Sequence, residues 1–140
     1  ILLTDLNSSD KNYQFFVTPA LEQSQINKIH FTTLTPDTLL HHFIKKDKQI
    51  IFNNYKILII DESLNYKNLN VNVNFSTVWL TGNNLFRLEN IKEKIKFKSV
   101  IIDATNKDYK IAAFKTFAEN NRIPVHILKK NPAYLVHLTQ

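Results

Sequence analysis

From Phe75 to Thr105 the chain reads F-S-T-V-W-L-T-G-N-N, then L-F-R-L-E-N-I-K-E-K-I-K-F-K, then S-V-I-I-D-A-T. That is a buried strand, a turn holding the chain's single glycine, an amphipathic helix and a second buried strand. The run commits the chain to an α/β domain, a mixed sheet flanked by helices. In such domains chemistry collects in the crevice beyond the strand C-termini. Here those ends carry Thr81-Gly82-Asn83-Asn84 and Asp103-Ala104-Thr105-Asn106, with one carboxylate and neither His nor Cys.

The 140 residues suit one domain with a sizeable core, and residues 1–140 are read as a single domain. Apolar residues make up 44% and charged residues 21%, a globular balance. The absence of Cys removes thiol catalysis, cysteine-ligated zinc and disulfide staples. The chain opens on Ile1 without an initiator methionine, so it reads as a fragment or a processed product. No apolar run reaches the roughly 20 residues of a membrane span. The formal charge is +6, almost all of it Lys. That excess has two readings, attraction to nucleic acid or anionic lipid, or a codon bias that also enriches Asn, Ile, Phe and Tyr.

Ahead of the central run, Ile1–Thr4 reads as a short strand ending in Asp5, and Asn7-Ser8-Ser9-Asp10 as a turn or cap. A helix is expected from Lys11 to Gln25, with Tyr13, Phe16, Val17, Leu21 and Ile26 as its apolar stripe. Thr18 reads as an N-cap before Pro19, so the helix restarts or kinks there. Lys28–Leu34 alternates as a half-buried strand, Ile29 and Phe31 against His30 and Thr32. Thr38–Lys45 is one helical face or a connecting strand, with His41-His42 pointing apart in either case. Gln49–Phe52 and Lys56–Ile60 flank Asn53-Asn54-Tyr55 as a hairpin, since Asn tolerates positive φ. The second arm ends at Asp61-Glu62, a catalytic position or a loop cap.

Leu64–Asn74 reads as a surface loop with an edge strand. Leu85, Leu88, Ile91 and Ile95 are expected to face the sheet, and Lys92, Lys94, Lys96 and Lys98 to lie mainly outward. Thr105-Asn106 is expected to cap a helix to about Asn120, with Ile111, Phe114, Phe117 and Ala118 buried. Asn120-Asn121 would close it in the left-handed cap position. Ile123–Leu128 and Ala133–Leu138 read as strands around a Lys129–Pro132 turn.

This order of elements resembles the C-terminal metallo-β-lactamase-like domain of the ComEC family of DNA-uptake proteins, in its divergent bacteroidete form. Ile57–Ile60 with Asp61 is similar to the strand ending in that family's acidic ligand. Val78-Trp79-Leu80-Thr81-Gly82 is similar to the strand leading to its paired histidines, with Asn83 and Asn84 in their places. Val100–Asp103 and Asn106-Lys107-Asp108-Tyr109 match the following strand and turn. The family's His-x-His-x-Asp-His ligand cluster is absent from this chain. The resemblance therefore implies a degenerate, partial version of the fold, in which Asp61, Gly82 and Asp103 are remnants of a site and no cofactor is bound. It also implies a domain tethered to the bacterial inner membrane, with the membrane-channel portion of its own polypeptide as a partner.

Three functions follow as expectations. The first is a non-catalytic module of the uptake channel that contacts single- or double-stranded DNA through Asn83, Asn84, Arg87, Lys107, Tyr109 and Lys110. Lysines neutralise phosphates, and Tyr109 offers a stacking face. The second is a residual nuclease holding one divalent ion on Asp61 and Asp103, short of the ligands a two-metal site needs. The third is an unrelated ligand-binding or receiver-like α/β domain with Asp5, Asp61 and Asp103 at its strand ends. His30, His126 and His137 are scattered and read as packed or exposed histidines. Ser63 lacks a His partner for nucleophilic chemistry.

Overall fold

The computed structural model describes residues 1–4, 6–26, 28–33, 37–64, 69, 73–83, 86–131, 134 and 136. The chain divides into two compact units, residues 1–38 and 39–140.

In the first unit, β1 (Leu2–Leu3) pairs in parallel with β2 (Phe31–Thr32). Between them lies a helical run that begins with a π turn, Tyr13–Val17, and continues as α1, Thr18–Gln23. Thr18 is not an N-cap. Val17 is itself helical, and the Thr18 N–H donates to the Tyr13 carbonyl, five residues back. The wide turn carries the backbone past Pro19, which has no N–H to give. It also breaks the expected stripe. Tyr13 is buried, but Phe16 is 73% exposed and Ile26 45% exposed. The run ends in a Schellman motif, with Gln25 at φ +53 and the Ile26 N–H on the Leu21 carbonyl at 3.0 Å.

The half-buried strand expected at Lys28–Leu34 is shorter and reversed in phase. Among the described residues only Phe31 and Thr32 pair, Phe31 is 55% exposed and Thr32 is buried. The Thr32 hydroxyl finds the Thr38 hydroxyl at 2.8 Å, so a polar side chain can turn inward.

The second unit is built on a seven-stranded mixed sheet: β3 (Thr38–Leu40), β4 (Phe43–Lys46), β5 (Gln49–Phe52), β6 (Tyr55–Ile60), β7 (Asn74–Leu80), β8 (Lys96–Ile102) and β9 (Val125–Ile127). Strand order follows the sequence. The pairs β4–β5 and β5–β6 are antiparallel, and β6 through β9 run parallel. The hairpin turns at Asn53, with φ +52. Residues 38–45 are neither a helix nor one strand. They fold back at His41-His42, where His42 takes φ +64, and the two rings lie 3.7 Å apart. The turn brings together side chains that a helix or strand would have held apart.

Two crossovers, through α2 (Leu88–Lys94) and α3 (Asp108–Asn120), step in one direction across the sheet. Right-handed crossovers of that kind place both helices on one face. In agreement, Lys92 of α2 donates to Asn121 Oδ1 at 2.6 Å and sits 5.9 Å from the Phe117 ring centre. Register puts Leu58, Val78, Val100 and Val125 in one row, and Ile60, Leu80, Ile102 and Ile127 in the next. Most of these join Leu88, Ile91, Ile95, Ile111 and Phe114 in the core. Truncating a fully buried aliphatic such as Ile60 would cost about 2–5 kcal/mol.

The other face carries Phe43, Lys45, Ile50, Ile59, Thr77 and Ile101, all buried. Lys45 is 1% exposed despite its charge, because it follows Phe43 by two residues on the same strand face.

At the end of α3 the left-handed residue is Arg122, φ +55, not Asn121. Asn121 stays one step inside, where its side-chain amide bonds the Phe117 carbonyl at 2.9 Å. Most of the loop expected at Leu64–Asn74, and all but residues 134 and 136 of the final strand expected at Ala133–Leu138, lie outside the described residues.

Candidate functional site

Three parallel strands end side by side, and the loops leaving them interlock. Backbone bonds carry the register past the strands: Thr81 N–H donates to Ile60 at 3.0 Å, and Asp103 N–H to Leu80 at 3.2 Å. Asp61, Thr81–Asn83 and Asp103–Asn106 therefore share one lip.

Gly82 turns the chain at φ +68, and its N–H donates to the Thr105 hydroxyl at 2.7 Å. A β-carbon here would sit 3.5 Å from Asp61 Cβ, an ordinary contact. Glycine thus serves the backbone angle rather than the space.

Asp103 is buried and saturated. One oxygen accepts from Trp79 Nε1 at 3.2 Å. The other accepts from the Thr105 N–H at 3.1 Å, from the Thr105 hydroxyl, and from Asn106 Nδ2 at 3.2 Å. Asp61 accepts from Lys48 on one oxygen, and from the Ser63 N–H and hydroxyl, at 3.0 and 2.8 Å, on the other. Burial pushes its carboxyl up, but the Lys48 and Ser63 bonds outweigh that and hold it below the ordinary value of 3.8.

Asn106 was expected to share in capping α3. Neither it nor Thr105 does so: the N-cap is Lys107, without a side-chain cap bond. Instead Asn106 is 2% exposed and donates to the Leu80 carbonyl at 2.8 Å and to the Asp103 carbonyl at 3.3 Å. It ties the end of β7 to the end of β8. Its Oδ1 is buried without a hydrogen-bond partner. Sequence reasoning gave Asn106 only a capping role and passed over Trp79 and Lys48. The one available signal was the Asp103-x-Thr105-Asn106 spacing, which favours a local Asx-type turn over a helix cap.

Of the six residues expected to touch nucleic acid, the structure brings three together. Asn83 Oδ1 accepts from the Lys107 N–H at 3.3 Å, and Lys110 Nζ donates to the Asn83 carbonyl at 2.9 Å. Arg87 is the exposed N-cap of α2, and Tyr109 is 66% exposed in the first turn of α3. Asn84 lies outside the described residues. Lys129 joins the same neighbourhood through Asp108 at 2.7 Å. Its ammonium holds the Asp108 carboxyl below the ordinary value.

Asp61 and Asp103 are the carboxylates at this lip that would hold a cation, and both already accept internal donors. Among the described residues no group of three or more His, Cys, Asp or Glu side chains converges as a metal site requires. No helix among them is long and apolar enough to cross a membrane.

The fold and lip define an α/β domain whose parallel strands end in a closely bonded loop cluster. Residues 1–138 match the family model of the ComEC C-terminal domain, so the chain belongs to that family and with it to DNA uptake in competence. No curated protein and no solved structure matches the chain.

Proposed function

We propose that this chain is a non-catalytic module of a DNA-uptake channel, attached to the membrane-channel portion of its own polypeptide, and that its strand-end lip contacts DNA by charge. One observation carries the reading. The two carboxylates a hydrolytic site would use, Asp61 and Asp103, are taken up by Lys48, Ser63, Trp79, Thr105 and Asn106. The cations and the ring beside them, Arg87, Lys107 and Tyr109, face solvent.

Such a lip meets phosphates without sequence preference. If three phosphates are neutralised, affinity falls about 40-fold between 50 and 200 mM salt, from a slope of about −0.9 per phosphate. The test is fluorescence anisotropy with labelled single- and double-stranded DNA across that salt range. Arg87→Glu with Lys107→Glu should abolish the shift and leave the circular dichroism unchanged. Salt-independent binding, or none at 50 mM salt, refutes the DNA contact. Divalent-dependent cleavage that is lost on Asp61→Asn refutes the non-catalytic assignment.

A further inference from the structure

We propose that the sheet edge opposite the lip docks on an anionic bilayer surface and turns the lip away from it. Register defines that edge. Lys56, Ser76 and Lys98 form one row across β6, β7 and β8, and Lys96 stands two residues further out, beside Asn74. From strand spacing and rise the three lysines lie about 7–12 Å apart. All three are exposed, and among the described residues no ion pair is formed by any of them.

Most carboxylates of the second unit stand at the other end. Asp47, Asp61, Glu62, Glu89, Asp103 and Asp108 lie at the lip end, after β4, β6 and β8 and in the first turns of α2 and α3. Glu93 and Glu119, in the last turns of the two helices, are the acids nearer the lysines, and Glu119 pairs with Lys115 at 3.5 Å. Lys94 and Arg122 stand at the carbonyl ends of α2 and α3, where they offset the helix dipoles and Glu93. Lys56, Lys96 and Lys98 remain as uncompensated charge.

Apolar neighbours select the partner. Antiparallel pairing brings the start of β4 and the end of β5 to this same edge. Leu39, 78% exposed, and Phe52, 37% exposed, therefore flank the lysines. Cations bordered by exposed apolar side chains suit headgroup phosphates lying over acyl chains. A nucleic acid would use the lysines and leave Leu39 in water. Only the nearness of a bilayer rests on the reading of a membrane-attached module.

Strand length separates the two ends. The seven residues of β8 span about 23 Å, beyond the Debye length of about 8 Å at physiological salt. The lip charges therefore add little to bilayer attraction, and DNA and bilayer can be held together. Each lysine near an anionic surface strengthens binding about fivefold. Three lysines with about fivefold more from Leu39 give a factor of about 600, which puts half-binding near 1 mM lipid.

The test is co-sedimentation of the whole 140-residue chain with vesicles of phosphatidylcholine containing about 30% phosphatidylglycerol, against phosphatidylcholine alone. Binding to the anionic vesicles only is expected. Lys56→Gln with Lys96→Gln and Lys98→Gln should weaken it about 100-fold, and Leu39→Ser about fivefold. Arg87→Glu with Lys107→Glu, which tests the lip, should bind vesicles within about threefold of the parent. Soluble glycerol phosphate at about 10 mM should not compete, because a single phosphate lacks the surface potential. Circular dichroism confirms that each variant stays folded. No binding to anionic vesicles, equal binding by the triple lysine variant, competition by glycerol phosphate, or a triple variant that loses DNA binding and keeps vesicle binding overturns the proposal. Failure of the lip to bind DNA leaves the vesicle result standing, so the two readings fail separately.

Discussion

On the sheet face opposite the helices, four hydroxyls form a chain whose direction the structure dictates. Ser99 Oγ donates to the Ser76 carbonyl at 3.2 Å, which uses its one hydrogen. Thr77, 2.7 Å from Ser99, must therefore be the donor to it. Tyr55 must then donate to Thr77, and Tyr134, 2.9 Å away, to Tyr55. Thr77 is fully buried at the middle. Thr77→Val keeps the shape and removes the hydroxyl, so Tyr55 loses its acceptor and Ser99 its donor. Two net hydrogen bonds at about 0.5–1.5 kcal/mol each give a loss of about 2 kcal/mol. For a domain of this size that is a Tm drop of about 6–10 °C.

Direction adds a ranking. Tyr134→Phe removes only the first donor and should cost less than 1 kcal/mol or so, and Tyr55→Phe should fall between the two. Urea unfolding of the three variants measures the series. A Thr77→Val protein as stable as the parent, or a Tyr134→Phe variant that loses most, would refute the assigned direction. The chain also separates the two phenols. Burial raises Tyr55 above its ordinary value. In Tyr134 burial acts upward too, but the hydrogen bonds that Tyr55, Ser99 and Thr77 can turn to give its phenolate form prevail and hold it below.

Three further outcomes are expected. Gly82→Ala should cost about 1 kcal/mol from the positive φ alone, because its β-carbon meets only ordinary contacts, and urea unfolding reads this. Arg122→Gly should raise stability by about 0.5 kcal/mol, whereas Asn121→Gly should lower it, and comparing their Tm values tests which residue is the left-handed cap. Asp61 has a depressed carboxyl, so its contribution is in place above the unfolded carboxylate value and is lost as pH falls through the folded one. The stability gap between the parent and Asp61→Asn should therefore close as the pH is lowered from about 5 to 2.

The parallel half of the sheet was legible because its signals are strong and redundant. Ile57–Ile60, Val78–Leu80 and Val100–Ile102 are apolar on both faces, and α2 and α3 show helical periodicity between them. The N-terminal third was less legible for a physical reason. Its elements are two to six residues long, too short for a period to establish itself, and a π turn shifts the phase where the stripe was read. The chain also has one glycine, but seven of the described residues take positive φ, among them Gln25, His42, Asp47 and Arg122. Turns made by such residues carry no compositional mark. That is how the His41-His42 turn was missed and how the cap at Arg122 was placed one residue early. At the lip, Asp61, Gly82 and Asp103 were visible as strand-end residues. Their partners Lys48 and Trp79 come from 13 and 24 residues away, and no local pattern announces them, whereas Asn106 is marked only by its spacing from Asp103.

These bonds change what the lip residues can be. Asn83 was grouped with the lysines as a contact residue, yet its side-chain oxygen and its carbonyl each hold a different point of the α3 N-terminus. Gly82, Thr105 and Asn106 fasten the same two loops from below. Lys107 and Tyr109 therefore project from a backbone that is already fixed, and a ligand meeting them need not order the loops first. Charge and position are then separable. Substituting the Lys107 side chain removes charge from an intact frame. Substituting Asn83 leaves every charge in place and releases the frame that aims them. A surface that bound DNA by net charge alone would respond only to the first change, and a built lip would respond to both.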